Sequence, residues 1–262
     1  MLFFPNAKIN IGLNIVSKRA DGYHNLETIF YPIGWQDVLE IIPSSSPGFE
    51  CSGIAVEGGE NLCEKALKFL KADYDFPDVF IHLHKNIPTG AGLGGGSSDA
   101  AFTLMGLNQL FNLGLSKQEL KKYALRLGAD CPFFIDNVPS FASGVGEELK
   151  PIEIDLKGYF LVVVKADVFV STAEAFAGIV PKPSAFNLVD DVQNQLSDWR
   201  LKNDFEAGIF KRHPKLQAIK QTLLEAGALY ASMSGSGSSI YAIFSSKPSL
   251  NFDKEAVFFQ HL

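Results

Sequence analysis

The chain has 262 residues, 47% of them hydrophobic and 20% charged, with 23 Lys and Arg against 29 Asp and Glu for a formal net charge of −6. That balance suits a globular chain with an ample core and excludes a general nucleic-acid or membrane surface, both of which favour a basic face. No apolar run approaches the roughly 18 residues of a membrane span, the start Met1-Leu-Phe-Phe-Pro-Asn-Ala-Lys8 lacks a signal-peptide pattern, and Cys51, Cys63 and Cys131 show no metal spacing and read as reduced thiols of a cytoplasmic protein.

Residues 3–18 alternate polar and apolar, which predicts a strand with Lys8, Asn10 and Gly12 on one face and Ile9, Ile11 and Leu13 on the other. Arg19-Ala-Asp-Gly22 is a turn. Strands follow near 25–34, 37–43 and 48–56. A helix over 61–72 carries Leu62, Ala66, Phe69 and Leu70 on one stripe. A strand at 79–84 precedes a glycine-rich loop, and helices follow near 98–111 and 117–127. Gly128-Ala-Asp-Cys-Pro132 breaks the pattern and leads into Phe133-Phe-Ile, with short strands around 139–150. After a joint at 151–155, Tyr159-Phe-Leu-Val-Val-Val-Lys165 is a continuous run typical of a buried strand. A helix near 172–178, a Pro/Asn-rich stretch at 181–190, helices near 204–212 and 214–226, and a strand–glycine turn–strand over 230–244 complete the pattern. The tail after Pro248 is weakly patterned. Strands and helices mix without strict alternation, which predicts an α+β fold, with one domain over 1–154 and a second over 155–262.

The loop is the most informative stretch. Gly90, Gly92, Gly94, Gly95 and Gly96 are followed by Ser97, Ser98 and a helix-forming run from Asp99. Glycines before a helix start turn backbone N–H groups toward one point, and the helix N-terminus adds unpaired donors and a positive dipole end, so the product is a phosphate cradle. Gly90-x-Gly92-x-x-Gly95 imitates a dinucleotide fingerprint, but Lys85-Asn-Ile-Pro-Thr89 separates it from the strand before it, and a second helix, not a strand, follows. The protein-kinase triplets His-Arg-Asp and Asp-Phe-Gly do not occur. Gly96 stands where a P-loop carries lysine, so the cation must come from elsewhere: a bound Mg²⁺, Lys8 or Lys85.

Three segments in order resemble the GHMP small-molecule kinases: Pro5 to Asn10, the Gly90–Ser98 loop, and Ser232-Met-Ser-Gly-Ser-Gly-Ser238. The resemblance implies a two-domain fold, a ribosomal-S5-domain-2-like N-terminal part with a ferredoxin-like C-terminal part. Ala7 to Leu13, Arg19 to His24, Gly128 to Pro132, Gly144 to Glu147 and Asn203-Asp-Phe-Glu206 narrow it to the branch that phosphorylates the 2-hydroxyl of a cytidine-diphosphate methylerythritol in non-mevalonate isoprenoid biosynthesis. ATP as donor, Mg²⁺, and a small-molecule substrate with no nucleic acid, membrane or protein partner are implied with it.

Carried onto this sequence, the family pattern makes Asp130 the base and Lys8 its partner. An acid among Ala129, Cys131, Pro132 and the apolar Leu127 and Phe133 is poorly solvated unless paired, which suits a base; a turn or N-cap aspartate is the other reading of Asp130. The pattern assigns Asn61, Leu62, Lys85, Pro88, Thr89, Gly90, Ala91, Gly92, Leu93, Gly94, Gly95, Gly96, Ser97 and Ser98 to ATP. Asn61 reads equally as the N-cap of the helix after it. Asn10, Tyr23, His24, Thr172 and Phe176 fall to the substrate: Tyr23 stacks on the cytosine, His24 bonds its edge and Phe176 takes the opposite face, or is a plain helix-core residue. Metal ligands are not legible; Ser97, Ser98 or only ATP and water hold Mg²⁺. Another GHMP kinase of mevalonate or homoserine type would keep the glycine loop without needing Asp21-Gly-Tyr-His24. A silent nucleotide-binding module would not need Lys8 and Asp130.

Overall fold

A computed structural model describes residues 1–56, 59–252 and 256–262. In chain order it has β1 (Leu2–Phe3), β2 (Asn6–Lys18), β3 (His24–Gln36), β4 (Val38–Pro43), β5 (Gly48–Gly53), α1 (Leu62–Asp73), β6 (Val79–Lys85), α2 (Gly95–Leu110), α3 (Lys117–Leu127), α4 (Cys131–Asp136), β7 (Ser140–Ser143) and β8 (Glu148–Pro151). It continues with β9 (Phe160–Lys165), α5 (Thr172–Phe176), α6 (Leu188–Asp191), a 3-10 turn (Leu196–Asp198), α7 (Glu206–Arg212), α8 (Pro214–Glu225), β10 (Tyr230–Met233), β11 (Ser239–Phe244) and β12 (Ala256–His261). Helix and sheet mix as the α+β reading expects.

Two compact units emerge. The first holds Met1–Lys8, Gly34–Thr89 and Gly94–Val138; the second holds Ile9–Ile33, Gly90–Leu93 and Pro139–Leu262. The chain enters each unit more than once.

In the first unit a sheet of order β1-β4-β6-β5 pairs β4 with β6 antiparallel and β5 with β6 parallel. Every second residue of β4 and β6 is buried: Leu39 and Ile41, then Val79, Ile81, Leu83 and Lys85. Helix α1 forms because Asn61 and Glu64 close a capping box and Cys63, Ala66 and Leu70 share its buried side. Helix α2 buries Ala100, Ala101, Leu104 and Leu107. The pattern break at 128–132 turns out to start helix α4, with Pro132 in its first turn, where a missing N–H costs nothing.

In the second unit β9 lies inside an antiparallel sheet of order β10-β11-β9-β12. Leu161 to Val164 are all fully buried, as a run of β-branched residues flanked by two strands requires. Val162, Val164, Ile209, Leu216, Leu223, Ile240 and Ala242 form one apolar cluster. The weakly patterned tail adds the edge strand β12, with Asp253, Lys254 and Glu255 outside the described residues. Strands β2, β3, β7 and β8 form a further sheet.

Candidate active site

Lys8 is 3% exposed on β2, so its ammonium needs an anion. Asp130 supplies one: Lys8 Nζ lies 3.3 Å from Asp130 Oδ2, with side-chain exposures of 4% and 35%. Asp130 stands at the N-cap position of α4 but makes no side-chain cap bond. Its carboxylate therefore faces the ammonium on one side and solvent on the other. Beside it Cys131 is fully buried, and burial pushes its thiol up to about 12, so it stays protonated and is no nucleophile.

The glycine loop passes against the same lysine. Gly94 has φ +69°, and a Cβ there would lie 3.1 Å from Lys8 Cε and 3.0 Å from Phe134 Cζ. Helix α2 starts at Gly95, three residues earlier than the sequence suggested, so Gly95, Gly96 and Ser97 present first-turn N–H groups that have no intrahelical acceptor. Ser98 Oγ is buried without a hydrogen-bond partner. Leu62, at the start of α1, borders Gly96. Asn61 Oδ1 accepts from Cys63 N at 2.9 Å, so this side chain caps α1. Pro88 is buried and Thr89 exposed between β6 and the loop.

Lys85 is a different case from an open ligand-binding lysine. Strand parity sends it to the buried face, where its ammonium pairs with Asp37 and, at 2.7 Å, with Asp99 Oδ2. Asp37 Oδ1 also accepts from Asn86 N and Ile87 N, at 2.6 and 2.8 Å. Burial opposes the Lys85 charge, but Asp99 and Asp37 outweigh it and hold the ammonium above its ordinary value. Burial, followed by repulsion from Asp37, raises Asp99 to about 7 against the pull of Lys85.

The second unit holds the other predicted residues. Gly92 has φ +75°, and a Cβ on it would lie 2.0 Å from the Ser234 carbonyl oxygen, so the 234–238 turn seats directly on the first half of the loop. Ser234 Oγ donates to Gly92 O at 2.8 Å, and Ser239 N donates to Ala91 O at 3.1 Å. Ser238 Oγ and Ser239 Oγ are buried without hydrogen-bond partners. Asn10 is 3% exposed, and its Nδ2 donates to Thr28 Oγ1 at 3.1 Å. Tyr23, after the Arg19–Gly22 turn, is 65% exposed. His24 and Phe176 stack face to face, with ring centroids 4.8 Å apart and planes 21° apart, and Phe176 also meets Phe205 edge-on at 4.9 Å. Thus Phe176 both packs in a helix and presents a ring face to His24. Thr172 opens α5 and is exposed. Sequence reasoning missed Asp37 and the ionic role of Asp99, for which the parity of β6, burying a charge at Lys85, was a signal; Ser234 and Asn203 lie in segments it had marked only by resemblance.

Residues 61–144 match the family described as GHMP kinases N terminal domain, and residues 189–261 match GHMP kinases C terminal. The fold and the paired matches define the class: the chain is a GHMP kinase. A relative from Parabacteroides distasonis, a 4-diphosphocytidyl-2-C-methyl-D-erythritol kinase, is 50% identical over 98% of this chain and 96% of its own. One of the same name from Bacteroides fragilis is 49% identical over 98% and 97%. A crystal structure of 4-(cytidine 5'-diphospho)-2C-methyl-D-erythritol kinase superposes with a TM-score of 0.80 at 33% identity, covering 93% of this chain and 90% of that one. Within the GHMP kinases the chain belongs to the 4-diphosphocytidyl-2-C-methyl-D-erythritol kinase family. A Methanococcus jannaschii mevalonate kinase, at 15% identity and a TM-score of 0.67, shares the fold.

Proposed function

We propose that this chain transfers the terminal phosphoryl group of ATP to the 2-hydroxyl of 4-diphosphocytidyl-2-C-methyl-D-erythritol. The Lys8–Asp130 pair carries the reading: a buried ammonium 3.3 Å from a carboxylate that keeps 35% of its side-chain surface. Asp130 accepts the hydroxyl proton as the substrate oxygen bonds to the γ-phosphorus and the bond from phosphorus to the ADP oxygen breaks. Lys8 offsets negative charge on the transferred group. First-turn N–H groups of α2 receive phosphate oxygens. Asn61, Leu62, Lys85, Pro88 and Thr89 flank the nucleotide, with Lys85 acting through its hold on Asp99 rather than by contact. Tyr23, His24, Phe176, Thr172 and Asn10 take the cytidine end.

Among the described residues no three His, Cys, Asp or Glu side chains cluster as a metal site. The buried, unpartnered Ser98 hydroxyl and its neighbour Ser97 are the oxygens this segment offers a Mg²⁺ that arrives with ATP. Such an ion neutralises phosphate charge.

A coupled assay of ADP release tests the reading across this substrate, mevalonate and homoserine, with and without a chelator. Turnover is expected only with the cytidine-diphosphate alcohol and only with Mg²⁺ present. Turnover of mevalonate or homoserine in its place would overturn the substrate assignment. ATP binding without turnover of any of them would point to a silent binding module.

A further inference from the structure

Asn203-Asp-Phe-Glu206 is among the segments that carry the family resemblance, yet none of its side chains belongs to the machinery above. Most of its polar groups are spent on backbone. Asn203 is 3% exposed, and its Nδ2 donates to Met233 O and to Gly235 O, each at 2.8 Å. Its Oδ1 accepts from Phe205 N at 3.0 Å. Glu206 Oε1 accepts from Met233 N at 2.8 Å and from Ser232 Oγ at 3.1 Å, while Oε2 meets Lys220 Nζ at 2.7 Å. Asp204 Oδ2 accepts from Ile15 N at 2.8 Å, and Asp204 N donates to Leu13 O at 2.9 Å. The segment is therefore tied to β2 on one side and to the end of β10 on the other.

What β10 delivers next is Ser234. Its hydroxyl accepts from Asn10 N at 3.2 Å and donates to Gly92 O at 2.8 Å. The absence of a side chain at Gly92 is what admits the Ser234 carbonyl. The contact has no slack, so a displacement of 233–235 passes directly to Ala91 and Gly92.

We infer that Asn203 and Glu206 are positioning residues for the phosphate loop, holding Met233–Gly235 so that Ser234 fixes Ala91 and Gly92. This deepens the kinase reading and rests on it for its kinetic consequence. A misplacement of about 1 Å in a catalytic arrangement costs on the order of a hundredfold in rate.

The test compares Asn203→Asp, Glu206→Ala and Glu206→Gln with Leu223→Ala, a core substitution on α8 that lowers stability without removing a hydrogen bond to the turn. Steady-state constants, melting temperature and amide exchange at Asn10 and Ser239 are measured for each. Asn203→Asp removes both donors to the turn, and Glu206→Ala removes its two acceptor bonds. Both are expected to raise the KM for ATP about tenfold or more and to speed exchange at the two amides. Glu206→Gln keeps an acceptor for Met233 N and is expected to stay within about threefold of wild type. Leu223→Ala is expected to lower the melting temperature and leave the KM within about twofold. If Asn203→Asp does not fold, the Glu206 pair carries the comparison. Constants and exchange no different from those of Leu223→Ala would overturn the inference. If wild-type protein phosphorylates none of the alcohols, the kinase reading fails, and exchange decides alone: faster at Asn10 and Ser239 supports the positioning role, unchanged overturns it.

Discussion

Lys8 and Asp130 differ in their access to water, and the roles proposed for them follow that asymmetry. An ammonium with 4% of its side chain exposed is held by its partner, whereas a carboxylate with 35% exposed can still reach a substrate hydroxyl. Asp130→Asn keeps the shape and removes the proton acceptor. It is expected to lower kcat by about 10²–10⁴-fold while nucleotide affinity, measured by titration, stays near wild type. Near-wild-type turnover in that variant would sink the base assignment. The sequence offered both as candidates chiefly through the family resemblance, and the fold pairs them. The N-cap alternative for Asp130 is closed by geometry, since its side chain caps nothing. For Asn61 the geometry goes the other way, because its side chain completes a capping box. Sequence spacing cannot separate these two cases. An N-cap residue is recognised by its type and place, and only the folded backbone shows where the side chain turns.

At the scale of elements, the loop is held at both ends by different devices. Toward the first half, Gly92 gives way to the Ser234 carbonyl; Gly92→Ala would place a Cβ 2.0 Å from that oxygen at φ +75°. It is expected to destabilise the fold by more than the 1–3 kcal/mol typical of backbone strain, read as a fall in denaturation midpoint, together with weakened ATP binding. Toward the second half, Asp99 anchors the start of α2 to Lys85 at the end of β6. An acid whose folded value lies above its unfolded one binds a proton on folding, so its stabilising share is complete below about pH 4 and is lost as pH rises to about 7. Asp99→Asn has no such loss. The melting temperature of the variant minus that of wild type is expected to climb between pH 5 and 7 and to level off above pH 8. A constant difference across that range would refute the protonated state. Glycine spacing and the helix-forming run made the loop readable in advance. The start of α2 at Gly95 was not, because glycine and serine are poor helix formers and tertiary packing set the boundary. Helix α4 was missed for a similar reason: proline reads as a breaker, yet in the first turn it starts the helix.

Across the whole chain, strand and helix periodicity carried most of the fold, since most elements bury one face or, like β9, both. One exception is β12, where Ala256 and Phe259 are exposed and Val257 and Phe258 only half-buried, so no clean alternation marks the strand. The interleaving of the two compact units leaves no mark in composition. A boundary search looks for one break in composition, and Pro151 to Asp155 offered one. The backbone passes between the two compact units after Lys8, Ile33, Thr89, Leu93 and Val138. The passages after Thr89 and Leu93 fall inside the glycine loop itself, so Gly90 to Leu93 and Gly94 to Ser98 are counted with different units. This interleaving has a consequence for how such a protein can diversify. Neither unit is a continuous piece of gene, so neither can be excised, duplicated or exchanged by a single recombination event.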